Sequence, residues 1–538
     1  MRGLMMDYPL VIPKILERAR RVYPESEVVS YHADGKHVYN WGEFFGRVVR
    51  LMNVLRKLGV KPGDRVATFA WNHNRHLELY YAVPCMGAVI HTLNIRLFPE
   101  QLSYIVNHAE DKLIFVDDSL LKPIEALAGE FKTVEKYIVM GESGKFETSL
   151  SPVEEYEALM SAADDTEDFP EIDENDASGL CYTSGTTGSP KGALYSHRAV
   201  YIHTLMACLA DGMALTDMDT VLPVVPMFHA NAWSVPYNAA MMGSRLVFAG
   251  ANVMPDNLVR IINAEKVTMA LGVPTIWNGM LQHLRQSGER LDTVHTMLIG
   301  GSATPKSMIE AFKKEFNVDI MTGWGMTEMT PLGSTGRLTR KMTDWPEDKK
   351  FDYLAKAGRP SACVEMKIIN DQGEELPWDG ESTGELLVRG PAVVAGYYKN
   401  EEASKAAISD DGWFHTGDVA FIDENAVMTI CDRTKDLIKS GGEWISSVEM
   451  ENATMAIKGI LEAAVVARPD EKWDERPVVF VVPSPGETGI TPAHILKELE
   501  KEFAKWQLPA EEDIRIIEEV PKTSVGKFDK KVLRAKFL

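Results

Sequence analysis

Short apolar runs alternate with helical stretches along the first three hundred residues, and no other feature constrains the fold as tightly. The runs RLVFAG (245–250), VTMALGV (267–273) and TMLIGG (296–301) are separated from one another by segments of helical pattern. Upstream, KPGDRVATFA (61–70) and KLIFVDD (112–118) repeat the arrangement with a helical segment between them. Strands that read as apolar throughout lie between layers, and strands linked by helices pair in parallel. The expectation is an α/β protein built on buried, parallel sheets. Asn40 is placed to cap a helix running to Leu58, with Glu43 completing a capping-box variant. Phe44, Phe45, Val48, Met52 and Leu55 then fall on one face of that helix.

After about Lys356 the texture changes. VEMKIIN, DQGEE and GELLVRG read as short strands joined by tight turns, an antiparallel or barrel-like subdomain. The last hundred residues carry LEAAVVARP, PVVFVVP, a helix from about Thr491 and DIRIIEEVP, which read as a small α+β unit. A chain of 538 residues exceeds what one hydrophobic core usually supports. The charged, glycine-containing stretch CDRTKDLIKSGGEW (431–444) is the candidate linker.

Charge and cysteine usage narrow the function classes. A net charge of −21 argues against a general nucleic-acid or anionic-membrane surface, so an anionic ligand needs a local basic pocket. The N-terminus, MRGLMMDYPLVIPKILERARR, lacks the apolar core of a signal peptide. No uninterrupted apolar run approaches the ~18 residues that span a bilayer. Cys85, Cys181, Cys208, Cys363 and Cys431 are scattered without a CxxC pair, which fits a reduced, cytoplasmic compartment.

The stretch TSGTTGSPKG (183–192) carries the most chemistry. Glycines free backbone N–H groups to face an anion, hydroxyls add donors, and Lys191 supplies a point charge. A P-loop is excluded, because Ser189 and Pro190 precede Lys191 and Gly192 stands where the metal-binding hydroxyl belongs. The flanking residues read as extended on both sides. Taken alone, these residues leave open an anion cradle or a mobile surface loop.

The stretch resembles the signature of the adenylate-forming superfamily of acyl-CoA synthetases, luciferases and peptide-synthetase adenylation domains. Further motifs of that family follow in order: PMFHANAW (226–233), GGSATP (300–305), GWGMTEMTP (323–331), GWFHTGD (412–418), DRTKDLIKSGGEWIS (432–446) and PKTSVGK (521–527). The resemblance spans nearly the whole chain. It implies a large N-terminal domain of helix-flanked sheets with a barrel-like subdomain (1–431), a hinge (432–435) and a small mobile α+β domain (436–538). The implied reaction has two halves. A carboxylate attacks the α-phosphate of ATP to give an acyl-adenylate and pyrophosphate, and the thiol of CoA then displaces AMP.

By the same resemblance, Thr183, Ser184, Gly185, Thr186, Thr187, Gly188 and Lys191 handle the β- and γ-phosphates. Thr186 and Glu328 hold Mg²⁺, and Thr327 contacts the α-phosphate. Gly300, Gly301 and Ser302 let backbone approach adenine, and Trp324, between Gly323 and Gly325, stands where the family stacks an aromatic ring. Asp418 accepts the ribose hydroxyls, assisted by Arg433. His229, Trp233, Gly300, Gly301, Trp324 and Pro331 face the acyl group, with Trp233 as a gating indole. Lys527 bridges the substrate carboxylate and ATP during adenylation. Asp432 is the pivot, followed by Arg433, Thr434 and the cofactor-binding Lys435, and Lys439, Gly441, Gly442, Glu443 and Trp444 form the loop that faces the thiol after rotation.

The expected enzyme is an AMP-forming acyl-CoA synthetase for a short- or medium-chain carboxylic acid, using ATP, Mg²⁺ and CoA. A 3-methylmercaptopropionate ligase and a long-chain fatty-acyl ligase are the alternatives within the class. A carrier-loading adenylation domain is disfavoured because the chain ends at Leu538 without a carrier. A luciferase-like oxidase and a non-catalytic AMP- or acyl-CoA-binding protein remain as rivals. Dimerisation follows from the resemblance alone.

Overall fold

The computed structural model describes residues 1–538 except 2, 142–144, 184–188, 434–435, 441–442, 471, 485, 488, 524–527 and 538, with backbone alone at 443 and 444. Two large sheets form the N-terminal part. The first has seven strands in the order Val153–Glu155, Lys136–Met140, Asp111–Asp117, Arg65–Phe69, Val89–Thr92, Ala177–Tyr182, Gly192–Ser196. The second has nine, with Thr296–Gly300, Met269–Gly272, Thr220–Pro223 and Arg245–Phe248 pairing in parallel at its centre. The alternating apolar runs thus become the buried centres of parallel sheets, as their pattern requires. Antiparallel pairing enters at the margins, where Gly192–Ser196 runs back along Ala177–Tyr182 and Leu332–Gly336 along Asp319–Gly325.

The helix Trp41–Lys57 begins at Asn40, whose side chain accepts from Glu43 N–H while the Glu43 carboxylate accepts from Asn40 N–H. Reciprocal satisfaction of two otherwise unpaired donors fixes this start. Its apolar face, including Trp41, Phe44, Val48 and Leu55, is fully buried in a core shared by both sheets.

The barrel-like subdomain is an antiparallel sheet of Glu365–Ile369, Gly384–Arg389, Phe414–Ile422 and Met428–Arg433. The C-terminal unit carries its own sheet, in which Ile460–Asp470 and Asp474–Pro483 pair along their length and Ile514–Ile516 joins in parallel. Strand structure continues through Arg433 and resumes at Ile438, so the stretch read as a linker is ordered sheet at both ends. Among the described residues no helix is long and apolar enough to cross a membrane.

Candidate active site

Strand Ala177–Tyr182 leads into the glycine-rich stretch and strand Gly192–Ser196 leads out. The base of the loop is closed by Thr183 N–H donating to Lys191 O at 2.9 Å, and by Lys191 N–H reaching Thr183 Oγ1 at 3.4 Å. The exit is extended, as expected from the sequence, so the loop does not run directly into a helix. Ser184, Gly185, Thr186, Thr187 and Gly188 lie outside the described residues.

The half-buried Lys191 sets its ammonium 4.9 Å from the ring centre of Tyr397, within cation–π range. The Tyr397 hydroxyl donates to Glu328 Oε1 at 2.8 Å. Burial first, and then the neighbouring Glu328, push this phenol far above its ordinary range, so it stays a donor. Glu328 is buried in the short turn Thr327–Met329, and the Thr327 carbonyl accepts the Tyr195 hydroxyl at 2.6 Å. Val394 N–H donates to Glu328 O and Tyr398 N–H to Gly192 O, stitching the segment 390–398 across both the loop and the turn. Thr183, Lys191, Thr327 and Glu328 are therefore brought together, with Tyr195 and Tyr397 as clasps that sequence reasoning missed. Tyr397 lies in GYYKN, which carries no local sign of chemistry.

Asp418, in strand Phe414–Ile422, is 3 % exposed. Its Oδ2 accepts the Trp324 indole N–H at 2.9 Å, and Arg433 Nε lies 2.7 Å from Oδ1. An ionised carboxylate has about four acceptor sites, and these two donors occupy two of them. Gly300 and Gly325 are obligatory: a Cβ on Gly300 would lie 2.9 Å from Gly323 O and 3.2 Å from the Trp233 ring, and one on Gly325 only 2.0 Å from Pro331 O. Gly301 and Ser302 are exposed just beyond strand Thr296–Gly300, and Pro331 is buried.

His229 and Trp233, both half-buried, flank an unusual turn. Ala230, Asn231, Ala232, Trp233 and Ser234 all have positive φ, between 43° and 64°. Ser234 Oγ donates to Thr330 O at 3.1 Å, tying this turn to the stretch after Glu328. The Trp233 ring packs against Gly300, and Pro331 lies against Gly325.

On the C-terminal side, Lys439 is exposed in strand Ile438–Ser440, and its N–H donates to Glu475 at 2.8 Å. Glu443 and Trp444 belong to strand Glu443–Ile445. Lys435, Gly441, Gly442 and Lys527 lie outside the described residues.

The donor set suits a hard cation. Among the described residues no three His, Cys, Asp or Glu side chains gather into a metal cage. A magnesium ion arriving with nucleotide phosphates takes one or two carboxylates, and the buried Glu328, linked to Lys191 through Tyr397, offers oxygens of that kind.

Residues 16–398 match the AMP-binding enzyme model and residues 449–527 the AMP-binding enzyme C-terminal domain model. The chain is 45% identical to a long-chain-fatty-acid–CoA ligase of Thermus thermophilus, covering 99% of this chain and 96% of that one. It is 43% identical to a medium-chain-fatty-acid–CoA ligase of Ectopseudomonas oleovorans (100% and 98% covered) and 43% to a 3-methylmercaptopropionyl-CoA ligase of Ruegeria pomeroyi (100% and 99%). In fold it is similar to the anthranilate CoA ligase AuaEII in complex with anthranoyl-AMP, with a TM-score of 0.88 at 24% identity over 98% of each chain.

Proposed function

We infer the function from kinship and cleft together: the chain belongs to the AMP-binding enzyme family, and it is an ATP-dependent, AMP-forming acyl-CoA ligase. The observation that supports the reading is that Tyr397 links Lys191 to Glu328 while Trp324 and Arg433 hold Asp418. Adenylation brings a carboxylate to a polyphosphate, and two anions meet only where their charge is offset. Lys191 and the loop N–H groups are assigned to the β- and γ-phosphates. Asp418, aligned by Trp324 and Arg433, is assigned to the ribose. Glu328, with Thr186, would hold Mg²⁺, which neutralises phosphate charge when bound. Thr327 is assigned to the α-phosphate, and His229, Trp233 and Pro331 to the acyl chain.

In the first half-reaction the substrate carboxylate oxygen bonds to the α-phosphorus as the bond to pyrophosphate breaks. In the second the CoA sulfur bonds to the acyl carbon, AMP leaves, and the thiol proton is released. Lys527 is assigned to the first half and the face carrying Lys439, Gly441, Gly442, Glu443 and Trp444 to the second, the C-terminal unit turning about 432–435 between them. The substrate is a short- or medium-chain carboxylic acid, and the enzyme works in the cytoplasm as a homodimer.

The test is product analysis with an acid panel from acetate through dodecanoate, including aryl and thioether acids. AMP, pyrophosphate and an acyl-CoA are expected, fastest with a short or medium chain; ADP and phosphate would sink the reaction, and a long-chain or thioether optimum the substrate. Lys527→Ala is expected to abolish adenylation while sparing thioester formation from supplied acyl-AMP.

A further inference from the structure

Between the four-stranded sheet and the C-terminal unit lies a buried ion cluster that takes no part in the cleft. Asp432 is tied by its backbone to the ladder, opposite Val419, and is 2 % exposed. Its side chain reaches the other way. Asp432 Oδ2 accepts the Ser447 backbone N–H at 2.8 Å and the Ser447 hydroxyl as well. Ser447 opens the helix Ser447–Ala456, and the preceding Ser446 hydroxyl donates to the Cys431 carbonyl. Lys530 Nζ donates to the same Ser447 hydroxyl and lies 2.8 Å from Glu451 Oε1. Glu451 also accepts the Val465 N–H at 2.8 Å. Arg534, one turn beyond Lys530, pairs with Asp436. Lys530 therefore faces Asp432, Asp436 and Glu451, and its side chain is 12 % exposed.

Buried charges tolerate few arrangements, because each must keep its partner to offset lost hydration. Burial would lower the Lys530 ammonium, but Glu451 and Asp432 beside it hold it up. The geometry divides Asp432 between two bodies: its backbone belongs to one sheet and its carboxylate to the other unit. Rotation about 432–435 must draw that carboxylate off Ser447 or break the ladder. The cluster is thus specific to one orientation. Lys530 also opens helix Lys530–Phe537, three residues after Lys527, so it anchors the chain that carries the proposed adenylation lysine.

We propose that Lys530 is a positioning residue: held by Glu451 and clasping Asp432 through the Ser447 hydroxyl, it keeps the C-terminal unit in one orientation and sets the balance between adenylation and thioester formation. This rests on the two-unit acyl-CoA ligase reading above. Removing the ammonium takes the shared cation from the Ser447 hydroxyl that holds Asp432 and from Glu451, and the two buried carboxylates left without it repel each other and open the clasp.

The experiment measures the half-reactions separately in the full chain, as acid-dependent pyrophosphate exchange and as thioester formation from supplied acyl-AMP and CoA. Lys530→Met is expected to shift the ratio of the two rates by about fivefold or more, the range of a typical coupling between states. Lys530→Arg, which keeps the charge, is expected to restore it. A purely structural role would lower both rates together and leave the ratio alone; that outcome in a folded variant overturns the proposal. Should Lys530→Met fail to fold, Ser447→Ala removes the shared hydroxyl without stranding a charge, and an unchanged ratio there overturns it equally. A wild-type enzyme lacking either half-reaction would overturn the underlying functional reading, whereas an active enzyme with an unshifted ratio overturns this inference alone.

Discussion

Tyr397 does two things with one side chain: its ring faces the Lys191 ammonium and its hydroxyl holds Glu328. Tyr397→Phe separates them, keeping the ring and deleting the donor. A hydrogen bond to a charged group is worth about 1.5–3 kcal/mol, so the variant should need roughly ten- to a hundredfold more Mg²⁺ for half-maximal pyrophosphate exchange. Isothermal titration with Mg·ATP checks the same effect without turnover; an unchanged Mg²⁺ dependence would show that Glu328 is not oriented by Tyr397. Trp324→Phe removes the indole donor from Asp418. It is expected to raise KM for ATP several-fold with a smaller change in kcat, which initial-rate kinetics resolve. Lys191, Glu328 and Asp418 could be singled out from sequence because each sits in a short motif that resembles the family's. Tyr397 and Tyr195 were not, since a tyrosine reads as core until the fold shows what its hydroxyl meets.

At the scale of elements, the turn Ala230–Ser234 departs furthest from expectation. Five consecutive non-glycine residues hold left-handed backbone, which costs L-residues roughly 1–2 kcal/mol each. Such strain persists where surrounding packing over-determines it, and it gathers at functional sites. Ala232 (φ 47°) and Ala240, in the right-handed helix Val235–Met242, are both fully buried. Ala240→Gly should therefore destabilise by about 1–2 kcal/mol through lost burial and backbone freedom. Ala232→Gly should come out near neutral, because relief of strain offsets those losses by roughly 1 kcal/mol. Chemical denaturation of both variants tests this, and equal losses would mean that the turn stores no strain. Neither HANAW nor its neighbours announces the turn, because the residues lack the glycines that usually mark left-handed backbone. The capped helix Trp41–Lys57, by contrast, was readable to within a residue from Asn40, Glu43 and its apolar stripe.

For the molecule as a whole, buried histidines set the behaviour in acid. Burial lowers His203 and His76 to about 3 and His32 and His197 to about 4. The unfolded chain binds these protons near pH 6.5 while the folded chain refuses them, so stability is full above that pH and falls as pH drops toward 4. The melting temperature is expected to decline through that window, and His203→Gln to flatten the decline. A melting temperature independent of pH between 6.5 and 4.5 would contradict the burial of these rings.

Sequence alone determined what depends on neighbours along the chain: strand and helix periodicity, the Asn40 cap, and the extended segments on either side of the glycine-rich loop. Those follow from dihedral preference and from contacts within a few residues, which the order of side chains dictates. Tertiary structure decided which distant groups meet. Tyr195 finds the Thr327 carbonyl 132 residues away, Tyr397 finds Glu328 across 69, and Lys530 finds Ser447 across 83. Such meetings are set by how sheets pack and what they bury, and no local pattern encodes them.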